Sequence, residues 1–145
     1  MNSYGLIDLH CDTLAEYWKY AHTGNPDTLD DPGRVLSLSN MPKDVHWAQF
    51  YAVFIPDEER GQAAIDCFEK NRANFYRQME KFGDRVAPCR NADDMEKAWA
   101  AGKTAAFLTI ENGSVLAGDL SRVHTLAEQG VRAITLTWNG ENELG

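Results

Sequence analysis

Apolar residues fall in short runs broken by turn formers, and the period of the pattern switches between two and about 3.6 along the chain. Residues 5–9 read as a short buried strand and 13–21 as an amphipathic helix. A turn-rich stretch follows, Thr23-Gly24-Asn25-Pro26-Asp27 and Asp30-Asp31-Pro32-Gly33, with a brief extended piece over Val35–Leu38. Trp47–Ile55 is aromatic and β-branched, stops at Pro56, and reads as the second main strand. From Asp57 to Phe82 runs the longest helix. Ala64, Phe68, Asn71, Phe75, Met79 and Phe82 form one stripe, with Lys70, Arg72, Arg77 and Lys81 off it and Gly83 at its end.

The second half continues the alternation. Val86–Cys89 reads as a short strand, and Asn91–Ala101 as a helix capped by Asn91 and closed by Gly102. Ala105–Ile110 is a strongly apolar strand ending in Glu111-Asn112-Gly113. Asp119–Gln129 reads as a helix with Leu120, Val123 and Ala127 inward, stopped by Gly130. Val131–Trp138 is the last strand, before a loop over 139–145. Strands alternating with helices at this spacing indicate parallel βαβ units. The fold class is α/β, a partial (β/α)8 barrel of about the first four βα units, since a whole barrel needs roughly 250 residues. A flavodoxin-like sheet uses as many elements but makes no special demand on the end of the first strand.

That strand end is where the chemistry gathers. Leu6–Thr13 reads Leu-Ile-Asp-Leu-His-Cys-Asp-Thr. His10 and Asp12 are two apart, so on an extended strand they leave by one face while Cys11 points the other way as a buried structural thiol. Each has a purely structural explanation as well: Asp12 or Thr13 caps the next helix through a capping box with Glu16, and His10 is a hydrogen-bonded core histidine. Glu111 changes the balance, because it ends a second strand on the same expected rim. One imidazole and two carboxylates suit a divalent ion, zinc first, with manganese or iron as substitutes. The remaining histidines, His22, His46 and His124, end no strand and are assigned to surface or packing.

Composition narrows the class. The 145 residues suit one domain, and the net charge of −8 disfavours nucleic acid and an anionic membrane as partners. No apolar run approaches the roughly 20 residues that cross a bilayer. The start of the chain lacks the basic and apolar regions of a signal peptide. Three widely spaced cysteines argue for a reducing compartment, with the cytoplasm as default.

Four segments in order then carry a resemblance. They are His10-Cys11-Asp12, Gln49–Pro56, Thr109-Ile110-Glu111-Asn112-Gly113 and Gly130–Trp138. Together they resemble the N-terminal half of the membrane (renal) dipeptidases, zinc enzymes of the amidohydrolase superfamily. The resemblance implies a two-zinc site hydrolysing dipeptide amide bonds by metal-bound hydroxide, with His10 and Asp12 on one ion and Glu111 bridging both as the catalytic carboxylate. It also implies that the two histidines of the second zinc, and further substrate and proton-transfer groups, come from later strands. At most one zinc is therefore well liganded here. Trp138 stands where some members have a histidine thought to contact the substrate carbonyl, and an indole there is expected to wall a side-chain pocket instead.

The expectation is an N-terminal half of a hydrolase barrel over residues 1–145, inactive alone. Its open strand edges should associate with a complementary C-terminal half or with a second copy. The alternatives are a noncatalytic half-barrel remnant acting as an assembly or binding module, and an amidohydrolase with another substrate.

Overall fold

The computed structural model describes residues 4–13 and 29–145. The helix expected over 13–21, from its second residue on, the turns at 23–27, and His22 lie outside the described residues. Among those described, the order is β1 (Gly5–Cys11), β2 (His46–Phe54), α1 (Gln62–Lys81), β3 (Val86–Pro88), α2 (Ala92–Ala100), β4 (Thr104–Glu111), a 3-10 turn (Gly113–Leu116), α3 (Arg122–Glu128) and β5 (Val131–Thr135). The architecture is that of part of a (β/α)8 barrel.

Every strand pairing is parallel, and β4 is the centre. On one side β2 runs along its whole length, from Ala48–Ala105 to Phe54–Glu111, and β1 pairs with β2 beyond. Its other side is shared. Val86–Pro88 covers the start at Thr104–Ala106, and Val131–Thr135 covers the end at Leu108–Glu111. The short strand is therefore a spacer at the bottom, while β1, β2, β4 and β5 carry the upper rim.

The sequence Thr-Ala-Ala-Phe-Leu-Thr-Ile of β4 is buried on both faces, as a central parallel strand requires. Against one face lies α1, whose Ala64, Phe68, Phe75 and Met79 pack on Tyr51, Val53, Ala106, Leu108 and Ile110. Against the other, near the strand starts, lies α2, whose Ala98, Met95 and Trp99 meet Ala48, Phe50, Ala105 and Phe107. The Asn91 side chain caps α2 by accepting from the Asp94 N–H at 2.9 Å, and Gly102, at φ 71°, ends it.

Five details depart from the sequence reading. Val35–Leu38 is turn rather than strand, tied by the Asn40 amide to the carbonyls of Pro32 and Arg34. The long helix starts at Gln62, not Asp57, because the Asp57 carboxylate is engaged by Asn112 and Gly140 and the chain turns through Gly61 first. Gly83 follows that helix without a left-handed backbone. The last helix starts at Arg122, since the Asp119 carboxylate holds the N–H and hydroxyl of Ser121 in a turn. Its buried residue is Leu126, whereas Leu120 and Val123 are exposed and line an apolar groove of about 480 Å³ with Leu136 and Leu144. Finally, β5 ends at Thr135, which leaves Trp138 on the following loop.

Both outer strands end the sheet among the described residues. Leu6, Ile7 and Leu9 of β1 are 41%, 51% and 68% exposed, and Leu136 beyond β5 is 64% exposed. An open parallel edge with that much apolar surface favours association. Static light scattering of the 145-residue chain is expected to give a mass above the monomer, and a dilute, folded monomer would contradict this.

Candidate metal centre

The upper rim is built at the ends of β1 and β4. Between Asp8, opposite Gln49, and Cys11, opposite Tyr51, β1 spends one residue more than β2. This bulge falls at Leu9 and His10, and such bulges re-aim a side chain at a sheet margin. The Asp8 carboxylate pins it by accepting the His10 N–H at 3.1 Å. His10 Nε2 then lies 3.2 Å from Asp12 Oδ1. From the neighbouring strands comes Glu111, whose carbonyl accepts the Ile55 N–H at 3.0 Å and whose Oε2 is 3.8 Å from His10 Nε2.

One ligand atom from each of His10, Asp12 and Glu111 lies within 4.8 Å of the others. Donors around a tetrahedral zinc are separated by roughly 3.3 Å, given bond lengths of about 2.0–2.2 Å. The observed spacing therefore fits a divalent ion with small side-chain adjustments. Burial raises the Glu111 carboxyl above its ordinary value of 4.5, His10 draws it down and Asp12 pushes it up. Two carboxylates, that of Glu111 partly desolvated, crowded beside one imidazole are the electrostatic condition that a cation relieves.

Cys11 takes no part. It is buried in the core, and desolvation pushes its thiol up to about 12, so it stays protonated. His46 begins β2 at the opposite end of the sheet, against Trp99, and His124 lies on α3. Trp138 stands beside the rim and meets Phe54 edge-on with ring centroids 4.8 Å apart. Phe54 pairs with Glu111 in the ladder, so the two rings flank the carboxylate's strand end.

Sequence reasoning missed Phe54, Asp57, Asn112 and Asn142. The alternation of β2 already places Phe54 level with a strand end; the other three act through a loop closure that no local pattern encodes. A cavity of about 680 Å³ lies at the opposite rim among Lys43, His46, Arg85, Trp99 and Lys103. Its Arg85 is engaged bidentately by Asp30 at 2.7 and 2.8 Å, and Lys103 donates to the Gly83 carbonyl at 2.5 Å. Those charges serve the fold. No helix among the described residues is long and apolar enough to cross a membrane.

Comparison with known proteins bears on the fold and on the family. Among solved structures, the chain is similar to a metallopeptidase described as dipeptidase AC, with a TM-score of 0.81 and 18% identity, covering 97% of this chain and 45% of that one. It is also similar to a metallopeptidase from Rhodobacter sphaeroides liganded with a phosphinate mimic of the dipeptide L-Ala-D-Ala. There the TM-score is 0.81 and the identity 16%, over 97% of this chain and 47% of the other. The probable dipeptidase PvdM from Pseudomonas aeruginosa gives 0.71 and 20%, over 94% and 35%. At these identities the likeness establishes the fold, and the chain spans less than half the length of each. The model of the membrane dipeptidase family, peptidase family M19, matches residues 1–145, and with that match running from end to end the chain belongs to this family of peptidases.

Proposed function

We propose that residues 1–145 are the N-terminal half of a metal-dependent dipeptidase barrel, with His10, Asp12 and Glu111 as ligands and zinc as the metal. The observation that carries this reading is the approach of one imidazole nitrogen and two carboxylate oxygens to within 4.8 Å at the ends of two parallel strands. Three protein donors is the number that catalytic zinc sites use. The substrate assigned is a dipeptide, in line with the dipeptide mimic held by the Rhodobacter relative.

When bound, a divalent ion supplies Lewis acidity toward a peptide carbonyl and lowers the pKa of coordinated water. The chain's own residues place and shield that chemistry. His10 and Asp12 hold one side of the site. Glu111 faces them from β4 and supplies the third donor, a carboxylate that a bound cation would hold ionised. Phe54 and Trp138 give one flank an apolar surface that excludes water and suits a substrate side chain.

The family resemblance assigns the histidines of a second ion to the complementary part of the barrel, and among the described residues neither His46 nor His124 stands at the rim. We therefore assign the chain little or no turnover alone, and a complementary C-terminal half as its partner. Its three unpaired cysteines, two of them buried, suit a reducing compartment such as the cytoplasm.

Isothermal titration of zinc into the chain is expected to show one site, lost in His10→Ala and in Asp12→Ala, with no dipeptide hydrolysis. Absence of zinc binding would favour a noncatalytic remnant. Turnover that survives purification would overturn the assignment of inactivity.

A further inference from the structure

Asn112 follows Glu111 directly at the end of β4. It is fully buried, and its backbone sits at φ 83°, ψ 108°. Few residues with a Cβ occupy that region, and they persist there only where the surroundings over-determine them. The carboxamide explains how. Both of its N–H groups and both lone pairs are used. Nδ2 donates to the Ile55 carbonyl at 2.9 Å and to Asp57 Oδ1 at 3.0 Å. Oδ1 accepts from the Ser114 N–H at 3.1 Å and from Asn142 Nδ2 at 2.9 Å.

These partners lie on three segments: the loop after β2, the 3-10 turn after β4, and the loop after β5. Two of them extend the clamp. Asp57 Oδ2 accepts the Gly140 N–H at 2.8 Å, and Asn142 Nδ2 also donates to the Leu136 carbonyl at 2.7 Å. The Gly113 N–H donates to that same carbonyl at 3.0 Å. A Cβ on Gly113 would lie 2.8 Å from it and 2.5 Å from Leu144 Cδ1, so the loop rests directly on the backbone beside Glu111. Trp138 sits in that loop, between Leu136 and Gly140.

We propose that Asn112 is a positioning residue whose buried carboxamide holds the Glu111 strand end and the Trp138 loop at one fixed spacing. The inference rests on reading Glu111 as a metal ligand, but its second half, the loop, can be measured without any metal. A buried, fully satisfied polar network of this kind makes rigidity expensive to lose, and supporting partners of metal ligands typically change affinity 10- to 100-fold when removed.

The test is Asn112→Gly, because glycine accepts φ 83° without strain and only the four side-chain bonds disappear. Cobalt(II) serves as the metal probe, read by its visible absorption. Acrylamide quenching of Trp138 is isolated by difference against Trp138→Phe in each background. The expected result is a roughly 10- to 100-fold weaker cobalt affinity with an altered visible band, together with stronger quenching of Trp138. Met79→Ala, a core truncation at the far end of α1, destabilises the fold and should leave the band shape and the quenching at parent values. Asn142→Ala cuts only the loop side, so it should raise quenching and keep cobalt affinity. Should Asn112→Gly fail to fold, Asp57→Ala carries both readouts in the same direction.

A folded Asn112→Gly with the parent's cobalt spectrum and quenching overturns the inference. A parent chain that binds no cobalt sinks the metal reading instead. In that case the quenching alone judges Asn112, unchanged quenching counting against it and stronger quenching in its favour.

Discussion

Zinc titrated into Glu111→Gln is expected to bind at least about 100-fold more weakly than to the parent, on the order of 2.7 kcal/mol, while the metal-free variant melts at a higher temperature near pH 7. The two effects have one cause. The Glu111 carboxyl is 18% exposed and faces Asp12 across His10, and burial raises its pKa above the ordinary 4.5. Because the folded chain then binds this proton more tightly than the unfolded chain, the group costs stability as pH rises from the ordinary value through the raised one. A glutamine of the same shape carries no such cost, so its advantage should be present at pH 7 and vanish near pH 4. Thermal melts of both proteins at the two pH values check the sign. A variant that is less stable than the parent at pH 7, or binds zinc equally well, would refute the account. This is the trade expected of a site kept charged for a ligand rather than for the fold.

Phe68→Ala is the largest expected effect on stability. Phe68 has no exposed surface and stands at the centre of the α1 stripe, in the core cluster with Tyr51, Phe75 and Leu108. Truncating a buried phenylalanine costs about 3–5 kcal/mol, partly because the cavity left cannot collapse. Domains of this size hold only about 5–15 kcal/mol in total. Urea denaturation followed by circular dichroism should show a midpoint far below the parent's, or no cooperative transition. Val35→Ala, at a residue 99% exposed, is the control and should leave the midpoint in place. A parent-like midpoint for Phe68→Ala would mean that α1 does not pack as described.

Much of this was legible before any coordinates. The α1 stripe from Ala64 to Met79 is local periodicity, and it folds as read because a helix buries whatever recurs every three or four residues. The Asn91 cap and the Gly102 stop of α2 are equally local, since each acts within one turn of its own helix. Boundaries failed where a distant partner competes for a residue. Asp57 looks like the first residue of a helix until Asn112 and Gly140, more than 50 positions away, take its carboxylate. Leu120 and Val123 have the spacing of an inward face, yet the turn held by Asp119 leaves them on an open groove.

What the sequence determined by itself is the alternation of strands and helices and the three candidate ligand positions at strand ends, because period and termination are properties of neighbouring residues. The tertiary structure alone decided that His10, Asp12 and Glu111 meet. That meeting needs the parallel register bringing β4 beside β2 and β2 beside β1, with one extra residue bulging beside His10 where its ring meets Asp12 and Glu111. It also decided that Asn112 joins three loops, since a hydrogen bond across 30 or 57 positions leaves no trace in the residues on either side of it.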